Sequence, residues 1–172
     1  VEQPARAVHH PSFFDFYVDP SIPFYGSCNA CLRVDAFQAA GGFDPAIRSA
    51  EDIDLFFRMS AAGRTVALTD PPLMASRADT PGSLSKNSLN VLDGLLSMNA
   101  KYRSGALHGD PALVRQAIAR SARVGFAILM ERSEHDLAAR LLRESKAVIS
   151  ATWGRLFYMR LAASLWRRRL PG

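Results

Sequence analysis

Residues 41–58 read GGFDPAIRSAEDIDLFFR and contain the strongest local signals in the chain. The two leading glycines can adopt the positive φ that ends a helix, and the Asp-Pro pair behind them turns the chain away. Glu51 and Asp52 then begin a helix predicted over 50–62, because carboxylates are favoured at the positive end of a helix. Two adjacent acids between a loop and a helix can also hold a general base at the edge of a cleft.

Around this stretch the pattern indicates mixed α and β structure. Residues 1–24 contain four prolines among aromatic side chains, which predicts extended segments and loops. A short helix is predicted over 33–40, and β-type runs follow at 65–69 and 73–77. We therefore predict an α/β unit over residues 1–83.

After a Pro-Gly pair the pattern becomes helical to the end of the chain, and we predict a helical C-terminal extension over residues 84–172. Helices are expected at 84–103, 110–131, 134–149 and 151–169. Asp110 followed by proline marks a helix start, because proline is favoured at the first helical position. The second and third of these helices should form an antiparallel hairpin.

The composition is that of an ordinary globular protein: 172 residues, 48% hydrophobic and 22% charged. The net charge of +5 belongs to the tail, since five arginines and no acids follow residue 150. Residues 1–149 are formally neutral, whereas nucleic-acid-binding proteins spread basic residues along a binding face. We therefore expect no nucleic-acid partner.

The termini and the cysteines give further expectations. The chain starts at Val1 without the features of a signal peptide, so we expect it to be a piece of a longer protein. No apolar stretch approaches the roughly 20 residues that span a bilayer. Cys28 and Cys31 form a lone CxxC pair, and zinc needs about four ligands. We predict two small buried side chains there, and no metal site.

A resemblance to a known family rests on the following residues: Gly26-Ser27-Cys28-Asn29-Ala30, Arg33, Ala36-Phe37, Gly41-Gly42-Phe43-Asp44, Glu51-Asp52-Ile53-Asp54-Leu55, Arg58 and Gly63. Their order and spacing resemble the acceptor half of family-two glycosyltransferases of the GT-A fold. Arg77 and the segment 81–85 are similar to the region that follows the last strand of that domain. The motifs and their context extend the resemblance over roughly residues 20–103. The resemblance implies a Rossmann-like half-domain.

The resemblance implies an inverting transfer of a sugar from a nucleotide-diphosphate donor to an acceptor hydroxyl. Asp52 matches the general base that removes the hydroxyl proton, and Glu51 would orient or tune the site. The residues that match the substrate-binding positions are Asn29, Gly42, Asp54, Arg58 and Arg77. An alternative stays open for three of them: Asp54 and Arg58 also form an i,i+4 pair typical of plain helix stabilisation, and Asn29 suits a turn.

The expected partners are a nucleotide-sugar donor and a glycan or lipid-linked acceptor. A divalent metal, Mg²⁺ or Mn²⁺, is implied for the complete enzyme, mainly through residues not in this chain, because no Asp-x-Asp motif precedes Gly26. This chain alone should therefore be inactive. Thr80 stands where many relatives have a histidine that can serve the metal or the pyrophosphate. The Gln-x-x-Arg-Trp motif of processive synthases is absent, which favours single sugar addition.

The last predicted helix, 151–169, has apolar residues at helical spacing and ends in arginines. It could lie at an anionic membrane surface, or its apolar side could pack on the preceding hairpin. We expect the protein to be cytoplasmic and peripheral at the inner face of the membrane. The alternative function is a non-catalytic module, derived from a glycosyltransferase, that binds a protein or a membrane.

Overall fold

The computed structural model describes residues 8–10, 30–64, 66–68, 86–107 and 110–169, and these residues are mainly helical. The elements in chain order are β1 (Val8–His10), α1 (Val34–Ala39), α2 (Glu51–Ala61), β2 (Val66–Leu68), α3 (Ser88–Arg103), α4 (Pro111–Glu131), α5 (His135–Glu144), α6 (Lys146–Trp153) and α7 (Arg155–Arg169).

The predicted α/β acceptor half of a GT-A domain is wrong for the part of the chain that the structure describes. The strands there are β1 and β2, which pair antiparallel with His9 opposite Ala67. A Rossmann-like half needs parallel strands joined by helical crossovers, and a three-residue antiparallel pair supplies neither. The β-type run at 65–69 does contain β2, whereas the run at 73–77 lies outside the described residues.

Local capping explains where the longest helices begin. The Asn87 side chain accepts from the backbone N–H groups of Leu89 and Asn90 at the start of α3. Asp110 does the same for the second and third residues of α4, with Pro111 in the first helical position. These caps satisfy N–H groups that have no partner inside the helix. The predicted start of α4 at Asp110 is confirmed.

The two C-terminal helices predicted from the sequence are divided differently in the structure. The first breaks at Ser145, which separates α5 from α6. The second begins only after Gly154, whose φ of 85° and ψ of 160° suit glycine. Residues 151–153 therefore belong to α6, and α7 starts at Arg155.

One hydrophobic core runs from α2 to α6. Its members include Phe57, Leu92, Ile118, Leu141 and Ile149, all nearly inaccessible to solvent. Burying each such side chain contributes roughly 1.5–3 kcal/mol, so this core is what holds α2 against the helical region. The predicted boundary between residues 83 and 84 lies outside the described residues and stays a prediction.

Helix α7 packs on the core with one side and exposes apolar residues on the other. Phe157, Leu161 and Leu165 are partly buried against the core, as one of the two alternatives predicted. Leu156 and Trp166 are instead exposed on the opposite side. None of the helices in the described ranges is both long and apolar enough to cross a membrane.

The cysteine prediction fails at Cys31, which is exposed and not buried. Cys28 lies outside the described residues. Cys31 precedes α1 in a segment without regular structure, where little of the chain covers it.

Candidate functional site

The two acids singled out in the sequence, Glu51 and Asp52, are the first two residues of α2. Both side chains are half-buried, and Asp52 Oδ1 accepts from the Ile53 backbone N–H at 2.8 Å. The residue before them, Ala50, has a φ of 65°, which an L-residue with a side chain rarely adopts. Such a strained backbone persists only where the surrounding contacts hold it.

The contact that holds this turn comes from Gly94 in the middle of α3. A Cβ atom at this position would lie 2.4 Å from the Ser49 carbonyl oxygen and 2.8 Å from its carbonyl carbon. Only glycine allows the two backbones to approach so closely. The start of α2, and with it Glu51 and Asp52, is therefore fixed against α3.

Asp54, one turn further along α2, is fully buried and paired with two cations. Its Oδ2 lies 2.9 Å from Arg58 Nη2, and its Oδ1 accepts from Lys101 Nζ at 2.7 Å. Lys101 Nζ also donates to Asp44 Oδ2 at 2.7 Å. Because both partners cover its carboxylate, Asp54 has no surface to offer a substrate.

Arg58 extends this network to the glycine turn before α2. Its guanidinium donates to the Gly42 carbonyl oxygen at 2.7 Å and also to the Ala40 carbonyl oxygen. Gly42 itself has a φ of 66°, and Phe43 packs edge-on against Phe37 of α1 with ring centroids 5.4 Å apart. Arg58 thus forms the i,i+4 pair with Asp54 that the sequence left open as a structural alternative, and it also ties the turn after α1 to α2.

The charges of the network stabilise one another. The hydrogen bond from Lys101 lowers the pKa of the Asp44 carboxyl group. Burial disfavours the charge on Lys101, but its hydrogen bonds with Asp44 and Asp54 outweigh that effect and raise the pKa of the ammonium group. The Asp44 carboxylate and the Lys101 ammonium group therefore stay ionised near neutral pH.

The sequence-predicted site residues are only partly brought together. Glu51, Asp52, Asp54, Arg58 and Gly42 lie along α2 and the turn before it, whereas Asn29 and Arg77 lie outside the described residues. Lys101 and Gly94 were missed. A glycine inside a helical pattern is a signal for close backbone approach, but no local signal indicates that Lys101 pairs with Asp54.

Compared with models of protein families, with curated proteins and with solved structures, the chain matches none.

The described residues do not supply a metal site for the expected Mg²⁺ or Mn²⁺. Within those ranges, no group of three or more His, Cys, Asp or Glu side chains lies close enough to hold a cation. Glu51 and Asp52 alone provide too few hard oxygen ligands, and Asp54 is committed to Arg58 and Lys101. We assign no step to a metal in this chain.

Proposed function

We propose that this chain is part of an inverting glycosyltransferase with Asp52 as its general base. The observation that carries the proposal is the placement of Glu51 and Asp52: two adjacent, half-buried carboxylates at a helix start fixed by the Ala50 turn and Gly94. A general base works best when it is held in one geometry and remains within reach of the substrate. The motif order in residues 26–63 adds support, and the mainly helical architecture adds none.

In the proposed reaction, the Asp52 carboxylate takes the proton from an acceptor hydroxyl as the oxygen attacks the anomeric carbon of the donor sugar. The bond from that carbon to the nucleoside diphosphate breaks, and the configuration inverts. Glu51 orients the acceptor beside Asp52. The donor is a nucleotide sugar, and the acceptor is a glycan or a lipid-linked sugar. The enzyme adds a single sugar to each acceptor and does not act processively.

We expect Asp52→Asn to reduce sugar transfer by about 10²- to 10⁴-fold, the usual contribution of a general base, while nucleotide binding is retained. The assay uses the complete gene product and follows nucleoside diphosphate release from a panel of nucleotide sugars with candidate acceptors. Asp93→Asn is the matched control, because Asp93 is exposed on α3. Unchanged turnover in Asp52→Asn would remove Asp52 from the mechanism, and no release from any donor would reject sugar transfer.

A second candidate function, binding to an anionic membrane surface, is favoured by the outer side of α7. Leu156, Met159 and Trp166 are 64%, 62% and 63% exposed and recur at helical spacing. Arg160 and Arg167 are exposed on the same helix. Apolar side chains in the acyl boundary and basic residues at anionic headgroups suit an interfacial helix, and each basic residue adds about 1 kcal/mol. On this proposal the protein is cytoplasmic and peripheral at the inner face of the membrane.

We expect Met159→Ser/Trp166→Ser to weaken binding to anionic phospholipid vesicles about tenfold or more, because two exposed apolar side chains leave the lipid boundary. Flotation or Trp fluorescence measures the binding. Leu89→Ser is the control, since Leu89 is 55% exposed on α3. Equal binding by the double variant and the control would exclude the outer side of α7 as the contact.

A further inference from the structure

A cleft of about 420 Å³ lies where the C-terminal ends of α3 and α5 meet α6 and the first residue of α7. This volume falls within the roughly 300–1,000 Å³ that is typical of small-molecule sites. Its lining is strongly basic and contains Arg103, Arg143, Glu144, Lys146, Ala147, Ser150 and Arg155. None of these residues belongs to the acid-rich start of α2, so the cleft is separate from the proposed transfer site.

The positive charge of the cleft is only partly compensated. Arg103 Nη1 lies 3.3 Å from Glu144 Oε2, which pairs the acid with one of the four bases. Within the part of the chain that the structure describes, no carboxylate lies at ion-pair distance from Arg143, Lys146 or Arg155. About three positive charges therefore remain along one concave surface.

A polar group in the lining also lacks a partner. The Ser150 hydroxyl is buried, and no hydrogen-bond partner for it is found among the described residues. Buried hydroxyl groups are nearly always hydrogen-bonded, so Ser150 has hydrogen-bonding capacity left for a ligand. The start of α7 at Arg155 adds the positive end of a helix dipole, which opposes the negative ends of α3 and α5 at the same cleft.

We propose that this cleft binds the phosphate group of an anionic ligand. A guanidinium binds phosphate oxygens through two parallel hydrogen bonds, an ammonium adds a point charge, and a hydroxyl donates one more bond. Two arginines, one lysine and one serine together match a phosphomonoester or a pyrophosphate, which carries more than one negative charge. The proposal goes beyond sugar transfer, and it holds or fails independently of Asp52.

The test is a calorimetric titration of the full chain with inorganic pyrophosphate. We expect Arg143→Gln/Lys146→Gln to lose roughly a hundredfold in affinity, since two charge-assisted contacts disappear. Arg64→Gln/Arg140→Gln removes the same charge from exposed positions outside the cleft and should bind like the parent. Ser150→Ala should weaken binding several-fold without lowering thermal stability, because the hydroxyl has no partner to lose.

A second arm identifies the source of the phosphate. The same variants are tested on phosphatidylcholine vesicles that contain phosphatidic acid, which exposes a phosphomonoester, or phosphatidylglycerol, which does not. Pyrophosphate binding that depends on the cleft supports a soluble ligand. A cleft-dependent preference for phosphatidic acid without pyrophosphate binding supports a lipid headgroup. If the cleft variant and its charge-matched control behave alike toward both probes, the proposal is wrong.

Discussion

Replacing Asp54 by alanine should lower the free energy of unfolding by about 3 kcal/mol, towards the lower end of what breaking a buried ion pair costs. The carboxylate is fully buried, while Arg58 and Lys101 keep about a quarter of their side-chain surface exposed. Its removal leaves two cations partly buried without their acceptor, and Arg58 loses the bond that aligns it with the Gly42 carbonyl group. Urea denaturation followed by circular dichroism measures the change.

Two further variants separate the network from general helix effects. Asp93→Ala removes an exposed acid from α3 and should change the free energy of unfolding by less than about 0.5 kcal/mol. Combining Asp54→Ala with Lys101→Met should cost less than the sum of the single changes, because the second change removes a cation that the first left unpaired. A loss for Asp54→Ala no greater than that for Asp93→Ala would contradict the network.

The same experiment separates a structural role from substrate binding at Asp54. Residues kept for binding often reduce stability, so replacing them leaves a protein equally or more stable. A large loss of stability would show that Asp54 has a structural role. Glu51 and Asp52 would then be the acids of α2 that remain accessible to a substrate. The i,i+4 spacing of Asp54 and Arg58 could be read from the sequence, but Lys101, which is 47 residues away, could not.

The helices were predictable where local signals agree. The Asp110-Pro111 start of α4 and the apolar spacing from Val114 to Phe126 both appear in the sequence, and the structure buries that face. The break at Ser145 has no such local signal in the sequence, and in the structure the Asn99 side chain, buried in α3, donates to the Ser145 hydroxyl at 2.6 Å. Gly154 is a local signal for the next break, but the helix predicted over 151–169 ran through it.

The sheet could not be predicted in the same way. A run such as 65–69 indicates a strand but contains no information on its partner, which decides between a parallel sheet and an antiparallel ribbon. In the structure that partner is β1, more than fifty residues earlier. The basic cleft was also beyond prediction, because Arg103 meets Arg143 and Arg155 only through the packing of α3, α5 and α7.

Gly94→Ala should destabilise the protein by about 1–2 kcal/mol, although alanine favours a helix by roughly 1 kcal/mol over glycine. The added Cβ would meet the carbonyl group of Ser49, and backbone atoms cannot rotate away as a side chain can. The Ala50 turn would have to shift, and Glu51 and Asp52 would move with it. We therefore expect sugar transfer to fall by more than the loss of stability explains, measured at a temperature where the variant is fully folded.

Gly125→Ala is the matched control for this change. Its Cβ would meet the end of the Leu95 side chain, which is flexible and only partly buried. Adding Leu95→Ala should therefore remove most of the steric cost and leave the 3.2 Å approach to Leu141 Cδ2. Ser49→Ala should not rescue Gly94→Ala, because the clashing oxygen and carbon belong to the backbone. Rescue of Gly94→Ala by Ser49→Ala, or a Gly94→Ala variant as stable as the parent, would show that close backbone contact does not fix the start of α2.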